Sequence, residues 1–141
     1  MINKRKIILA SSSPRRQQLL SEAGFWFEVH PVPFNEVIPE GTPTWLAAQH
    51  IAEEKALSAS SLIKDDHILL TADSIVVLQD KVFGKPEDFK HAYHMLASLS
   101  GKKHLVHTGV CLKDHEKTIS FTGTSEVYFR EFTHEEINWY L

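Results

Sequence analysis

The 141-residue chain contains a single cysteine, Cys111, so no disulfide can form within it. A reducing compartment fits that usage, a secreted disulfide scaffold does not, and a cytoplasmic location is expected. Long apolar runs are also missing. Ile7-Ile8-Leu9-Ala10, behind Lys4, Arg5 and Lys6, is far too short for a signal-peptide core or a membrane span. No charge of one sign dominates: 15 Lys+Arg against 18 Asp+Glu give a net charge of −3. That balance disfavours a nucleic-acid-coating role, although a local basic cluster can still hold a small anion. Glycine and proline number only 6 each, with 43% apolar and 23% charged residues, which excludes disordered and collagen-like chains. No P-loop, no Gly-x-Gly-x-x-Gly, no His-Glu-x-x-His and no Cys-x-x-Cys occurs. A P-loop or Rossmann nucleotide site is therefore unsupported, and so is zinc.

What is present has the size of one ordinary domain. Lys6 to Ala10 reads as a buried first strand, and Ser13-Pro14 as the cap and first residue of a helix reaching about Ala23, stopped by Gly24. Phe25 to Val32 alternates as a strand, with Phe25, Phe27 and Val29 on one face. Four prolines and a glycine make 31–43 a loop. Thr44 is placed to cap a helix to about Ser61. His67 to Leu78 is the most apolar stretch and reads as the central strand, turning at Gln79-Asp80-Lys81 into a short strand at Val82-Phe83. Glu87 to Ser100 has Phe89, Ala92, Tyr93, Leu96 and Leu99 at helical spacing. His104 to Leu112 and Thr118 to Arg130 form a strand pair, and Thr133 with Glu136 is a capping-box signature for a last short helix. This order predicts an α/β or α+β fold with a mixed sheet.

Four features can carry chemistry. A polar loop opening a helix at Ser11–Arg16 presents backbone N–H groups, hydroxyls of Ser11 and Ser13, and two cations, Arg15 and Arg16, at the helix end where cations are unfavourable. A bound polyphosphate would account for them; so would a capped surface helix with solvated arginines. Asp73 lies inside an apolar strand, where a carboxylate is costly unless paired or coordinating. Hydrogen bonds to neighbouring backbone are the alternative. Glu36 sits in the proline-rich loop, where carboxylates are usually solvated. Lys55 and Lys85 are each ordinary surface lysines taken singly; with Arg15 and Arg16 they would make a phosphate clamp. The nine histidines, including His91/His94 and His104/His107, suit surface or packing roles. Cys111, on a strand without a histidine partner in view, is not expected to be a nucleophile.

Taken together, Leu9-Ala10-Ser11-Ser12-Ser13-Pro14-Arg15-Arg16, Glu54-Lys55-Ala56, Thr71-Ala72-Asp73-Ser74-Ile75-Val76 and Gly84-Lys85-Pro86 resemble the Maf family of nucleoside triphosphate pyrophosphatases, also called septum formation inhibitors. The Leu-Ser-Gly and His-Thr-Gly-Val stretches within 96–110 and Val127-Tyr128-Phe129-Arg130 continue the match in order, along essentially the whole chain. The resemblance implies an α/β fold with a mixed sheet flanked by helices and a nucleotide cleft between two lobes. It also implies hydrolysis of a nucleoside triphosphate to monophosphate and pyrophosphate with a divalent cation, Mg²⁺ or Mn²⁺, and a homodimer. By the same resemblance Asp73 matches the catalytic aspartate, and Glu36 the acidic residue of the early loop, with Glu36 and Asp73 as metal ligands. Ser11, Ser13, Arg15, Arg16, Lys55 and Lys85 match substrate-binding positions, and Ser74 a specificity position.

Ser-Pro-Arg-Arg with Ala-Asp resembles the branch acting on dTTP and UTP, with modified pyrimidine nucleotides as an expected extension. That branch usually reads Ala-Asp-Thr where this strand reads Ala-Asp-Ser; serine keeps the hydroxyl. Residues 1–141 are expected to form a single domain of this type, shortened relative to the family. Missing are a later Gly-Lys-Ala-Gly-like turn, a Tyr-Gly-Ile-Gln-like strand whose glutamine contributes to substrate recognition, and a final Gly-Leu-Pro. The rival expectation is a catalytically impaired nucleotide-binding protein regulating septum formation. Neither reading involves a membrane or a nucleic-acid polymer.

Overall fold

Helix-covered strands alternate with hairpins along the chain, and the computed structural model, which describes residues 4–141, assembles them around one mixed sheet. The elements are β1 (Ile7–Leu9), α1 (Pro14–Glu22), β2 (Phe27–Val29), α2 (Thr44–Ser58), a 3₁₀ turn (Ser60–Leu62), β3 (Ile68–Leu78), β4 (Lys81–Phe83), α3 (Phe89–Leu99), β5 (Lys103–Lys113), β6 (Thr118–Tyr128) and α4 (His134–Tyr140). The sheet order is β2-β1-β3-β5-β6, with β4 on the same side of β3 as β1. β1 pairs parallel with β2 and β3, while β5 runs antiparallel to both β3 and β6.

Local signals explain most of the elements. Ser13 caps α1 by accepting from the Arg16 N–H, Pro14 fills the first helical position, and Gly24 leaves the helix at φ 87, a conformation that suits glycine. Thr133 and Glu136 form the reciprocal capping box of α4. Helix α2 differs from its expected start and end. Pro43 occupies the cap without a side-chain bond, so Thr44 is the first helical residue rather than the cap, and the helix stops at Ser58 before the 3₁₀ turn. The strand expected over Phe25–Val32 is only three residues long, because β1, the strand it pairs with, is itself three residues long.

The core lies between α2 and one face of β3 and β5. The buried face of α2 is made of small residues, Ala47, Ala48, Ala52 and Ala56 with Ile51, so the helix backbone comes very close to the sheet. At Gly109 a Cβ would lie 2.2 Å from the Gln49 nitrogen, so only glycine fits there. Thr71 ties the two layers by donating its hydroxyl to the Ala52 carbonyl at 2.6 Å.

His104 and His107 point to opposite faces of β5, and both are buried. His107 Nδ1 lies 2.8 Å from the Thr124 hydroxyl, whereas His104 packs its ring on Phe129 and has no partner at Nδ1. Burial holds the His104 pKa below its ordinary 6.5. The folded protein thus binds fewer protons than the unfolded chain as pH falls below 6.5, and stability drops over that window by about 1.4 kcal/mol per unit of depression. Urea unfolding above and below pH 6.5 should show this loss in the native chain and a smaller one in His104→Leu. Cys111 is fully buried on the α2 face, where burial first, and the charge of Glu53 second, raise its pKa; the thiol is inert.

Candidate active site

β3 has eleven residues, but on its outer edge β1 pairs only at 68–70 and β4 only at 76–78. Between them, 71–75 faces no strand among the described residues. Leu70 and Ala72 direct their carbonyls to this edge, to the Ala10 N–H and the Lys55 ammonium respectively, and the two-residue period places the backbone groups of Ser74 there as well. The gap is a cleft of about 900 Å³. Its lips are the Ser11–Ser13 loop at the end of β1 and the Gly84–Pro86 turn after β4, and its outer wall is the 31–43 loop at Val32–Phe34, Glu36 and Ile38.

Lys55 organises the charges. About one turn beyond Ile51 on α2, it places Nζ 3.1 Å from Glu36 Oε1, 3.5 Å from Asp73 Oδ1 and 3.3 Å from the Ala72 carbonyl. Burial works against the charge on Glu36, but the hydrogen bond and charge of Lys55, with Lys85 behind it, hold its pKa below the ordinary value. Asp73 moves the other way. Burial, then the neighbouring charge of Glu36, raise its pKa above 3.8, against the pull of Lys55 and Arg16. One carboxylate is thus firmly ionised, and beside it stands a more basic one, a division of labour suited to proton transfer.

The loop that opens α1 is tied together by its own hydroxyls. Ser13 accepts from the Arg16 N–H at 3.3 Å, and Ser11 Oγ accepts from the Ser13 N–H at 3.1 Å and from Arg16 Nη1 at 3.4 Å. The arginine is thereby folded back over the loop. Ser11, Ser13, Arg16, Glu36, Lys55, Asp73, Ser74 and Lys85 all line the cleft. Arg15 does not join them: it is exposed and its Nη1 reaches Gln18 at 3.4 Å, so three cations rather than four face the cleft. The free edge of β3 had no signature in the residue pattern, because it arises from the shortness of β1 and β4.

Glu36 and Asp73 supply the hard oxygen donors a divalent cation takes. Among the described residues no cluster of three or more His, Cys, Asp or Glu side chains stands ready for a metal, so a cation here would need further oxygens from substrate and water. A second hollow, of about 650 Å³ between α3 and α4, is walled by Leu96, Phe129, Phe132, Ile137 and Trp139, and its charged residues include Arg130 and Glu136, which are already paired with each other.

The sequence profile described as Maf-like protein matches residues 6–141. This chain belongs to the Maf family. Maf relatives include a dTTP/UTP pyrophosphatase of Bacteroides thetaiotaomicron, 44% identical over 99% of this chain and 73% of its own length. A dTTP/UTP pyrophosphatase of Thermosipho africanus is also 44% identical, over 96% of this chain and 69% of its own. The Maf chain also shares its fold with the Ham1 protein of Staphylococcus aureus, at TM-score 0.60 and 14% identity over 88% of this chain and 71% of that one. A nucleoside-triphosphatase, dITP/XTP pyrophosphatase, of Mycobacterium abscessus aligns at TM-score 0.54 and 18% identity, over 87% and 73%. Among the described residues no helix is long and apolar enough to cross a membrane.

Proposed function

We propose that this Maf protein hydrolyses uracil- and thymine-type nucleoside triphosphates, modified pyrimidines among them, to the monophosphate and pyrophosphate. The observation that carries the reading is Lys55 held between Glu36 and Asp73, facing a serine- and arginine-lined helix N-terminus across a cleft. The names of the relatives support the reaction and the bases. The triphosphate lies against the Ser11–Arg16 loop, whose N–H groups, hydroxyls and Arg16 meet its oxygens. The raised pKa of Asp73 suits it to take a proton from a water as that water attacks the α-phosphorus. The new P–O bond forms as the bond to the bridging oxygen breaks, and Lys85 and Lys55 offset the charge of the departing pyrophosphate. Glu36 and Asp73 would hold the divalent cation, which would neutralise phosphate charge.

The test is incubation with UTP and dTTP in the presence of Mg²⁺ or Mn²⁺, with products separated. Monophosphate and pyrophosphate are expected. Release of orthophosphate and diphosphate would overturn attack at the α-phosphorus, and absence of turnover would overturn the activity. The rival reading, a silent regulator of septum formation, has less support, since the relatives are named as enzymes and the cleft keeps its charged groups.

A further inference from the structure

We propose that Thr108 is a positioning residue for the nucleotide, acting through Ser74, and that the pair favours a 4-oxo pyrimidine over a 4-amino one. The inference rests on the cleft being a nucleoside triphosphate site.

Ser74 is exposed and lines the cleft. Its partner across the β3–β5 ladder is Thr108, which is not a cleft residue, and the two hydroxyl oxygens lie 3.0 Å apart. A serine hydroxyl on an exposed strand face turns freely among its rotamers. Threonine is β-branched and stiff at χ1, so its Oγ1 is a fixed point against which the serine settles. On the far side of β5, the residue opposite Thr108 is Gly123, so no side chain directly across that ladder competes for the threonine hydroxyl.

The direction of the bond follows from what else each hydroxyl can reach. Neither hydroxyl has another hydrogen-bond partner among the described residues and either can donate to the other, but only Ser74 lines the cleft, so the arrangement proposed has Thr108 donate to Ser74 Oγ. Ser74 then keeps its own proton to donate into the cleft. A fixed O–H donor matches a carbonyl oxygen, the 4-oxo group of uracil or thymine. The 4-amino group of cytosine presents hydrogens to the same point and leaves the serine proton unpaired. A site built to hydrogen-bond a substrate group rejects the analogue that cannot reciprocate.

The experiment compares UTP with CTP in the native chain, Thr108→Val, Thr108→Ser, Ser74→Ala and the Thr108→Val/Ser74→Ala double variant. Pyrophosphate release is followed together with the affinities of the non-hydrolysable α,β-methylene analogues of the two nucleotides. Thr108→Val should lower the UTP-to-CTP preference about three- to tenfold, the worth of one ordinary hydrogen bond, through KM and affinity rather than kcat. Thr108→Ser should retain the native preference. In the Ser74→Ala background Thr108→Val should add nothing, because the only route from Thr108 to substrate is then gone. A folded Thr108→Val with native preference would overturn the inference, as would losses that simply add in the double variant. If the native chain binds the UTP analogue but releases no pyrophosphate, the proposed activity fails while the affinity ratios still decide on Thr108. If neither analogue binds, both readings fail.

Discussion

Asp73→Asn should cut pyrophosphate release from UTP by at least about 100-fold, the usual worth of a positioned general base. The substitution keeps size and hydrogen bonding but removes the proton-accepting oxygen. It also relieves a cost of folding, since the carboxylate is only 6% exposed and sits beside the charge of Glu36. The variant should therefore unfold no earlier than the native protein, and a lost rate cannot be assigned to lost structure. In the metal-free protein the Asp73 carboxyl should titrate above the ordinary aspartate value of 3.8, because burial and Glu36 raise its pKa, and a bound cation should bring it down. The base acts in its ionised form, so rate is lost as pH falls through the value it has with the cation bound. Rate measurements with Asp73→Asn alongside thermal unfolding check both parts. A variant with native turnover would remove Asp73 from the chemistry.

The second large effect is expected far from any charge. Gly109→Ala puts a Cβ 2.2–2.3 Å from the backbone of Ala48 and Gln49, where no rotamer change can relieve the overlap. Helix α2 has to lift from the sheet, at a cost of about 3 kcal/mol, the upper end of the range for overpacking. The melting temperature should fall by roughly 10 °C. Activity should fall with it in the molecules that remain folded, for a geometric reason. Gly109 is the register partner of Asp73, and Lys55 stands about two helical turns beyond Ala48. Raising the helix there draws the ammonium away from both carboxylates. Gly123→Ala on the neighbouring strand is the control, since its Cβ would meet nothing within 4 Å. That change should be neutral or stabilising by about 0.5 kcal/mol. Calorimetric scans of the two variants distinguish close packing at one glycine from a general intolerance of alanine in these strands.

The contrast between these two glycines marks where residue patterns stop being informative. Features settled within a turn or two were legible: Pro14 behind its Ser13 cap, Gly24 at the helix end, the Thr133–Glu136 box. They depend on backbone groups a few residues apart. The periodicity of α3 was legible too, yet of the apolar stripe from Phe89 to Leu99 only Leu99 is buried, and Phe89 is 57% exposed. A stripe says which side of a helix is apolar, and whether anything covers it is decided elsewhere. In the cleft, Asp73 drew attention as a carboxylate in an apolar strand, Glu36 as a carboxylate in the proline-rich loop, and Lys55 and Lys85 as members of a phosphate clamp with the two arginines. That Glu36 and Asp73 share one ammonium is a product of tertiary assembly, since a loop, a helix and a strand must all reach the same point. Thr108 went unnoticed because nothing about an isolated threonine in a β-strand announces that its hydroxyl faces a serine on another strand.

The gap in the outer edge of β3 also constrains how the cleft can move. Both of its lips hang from a single strand, and that strand is laddered to β5 from Leu69 through Val77. A hinge through the cleft floor would have to break the ladder at its middle, beside Asp73 and Gly109. Opening and closing therefore belong to the peripheral segments, the 31–43 loop with Glu36 and the hairpin leading to Lys85. The β5 ladder fixes the floor carrying Asp73 and Ser74, so any movement that closes the cleft on a substrate is left to the segments hung around it.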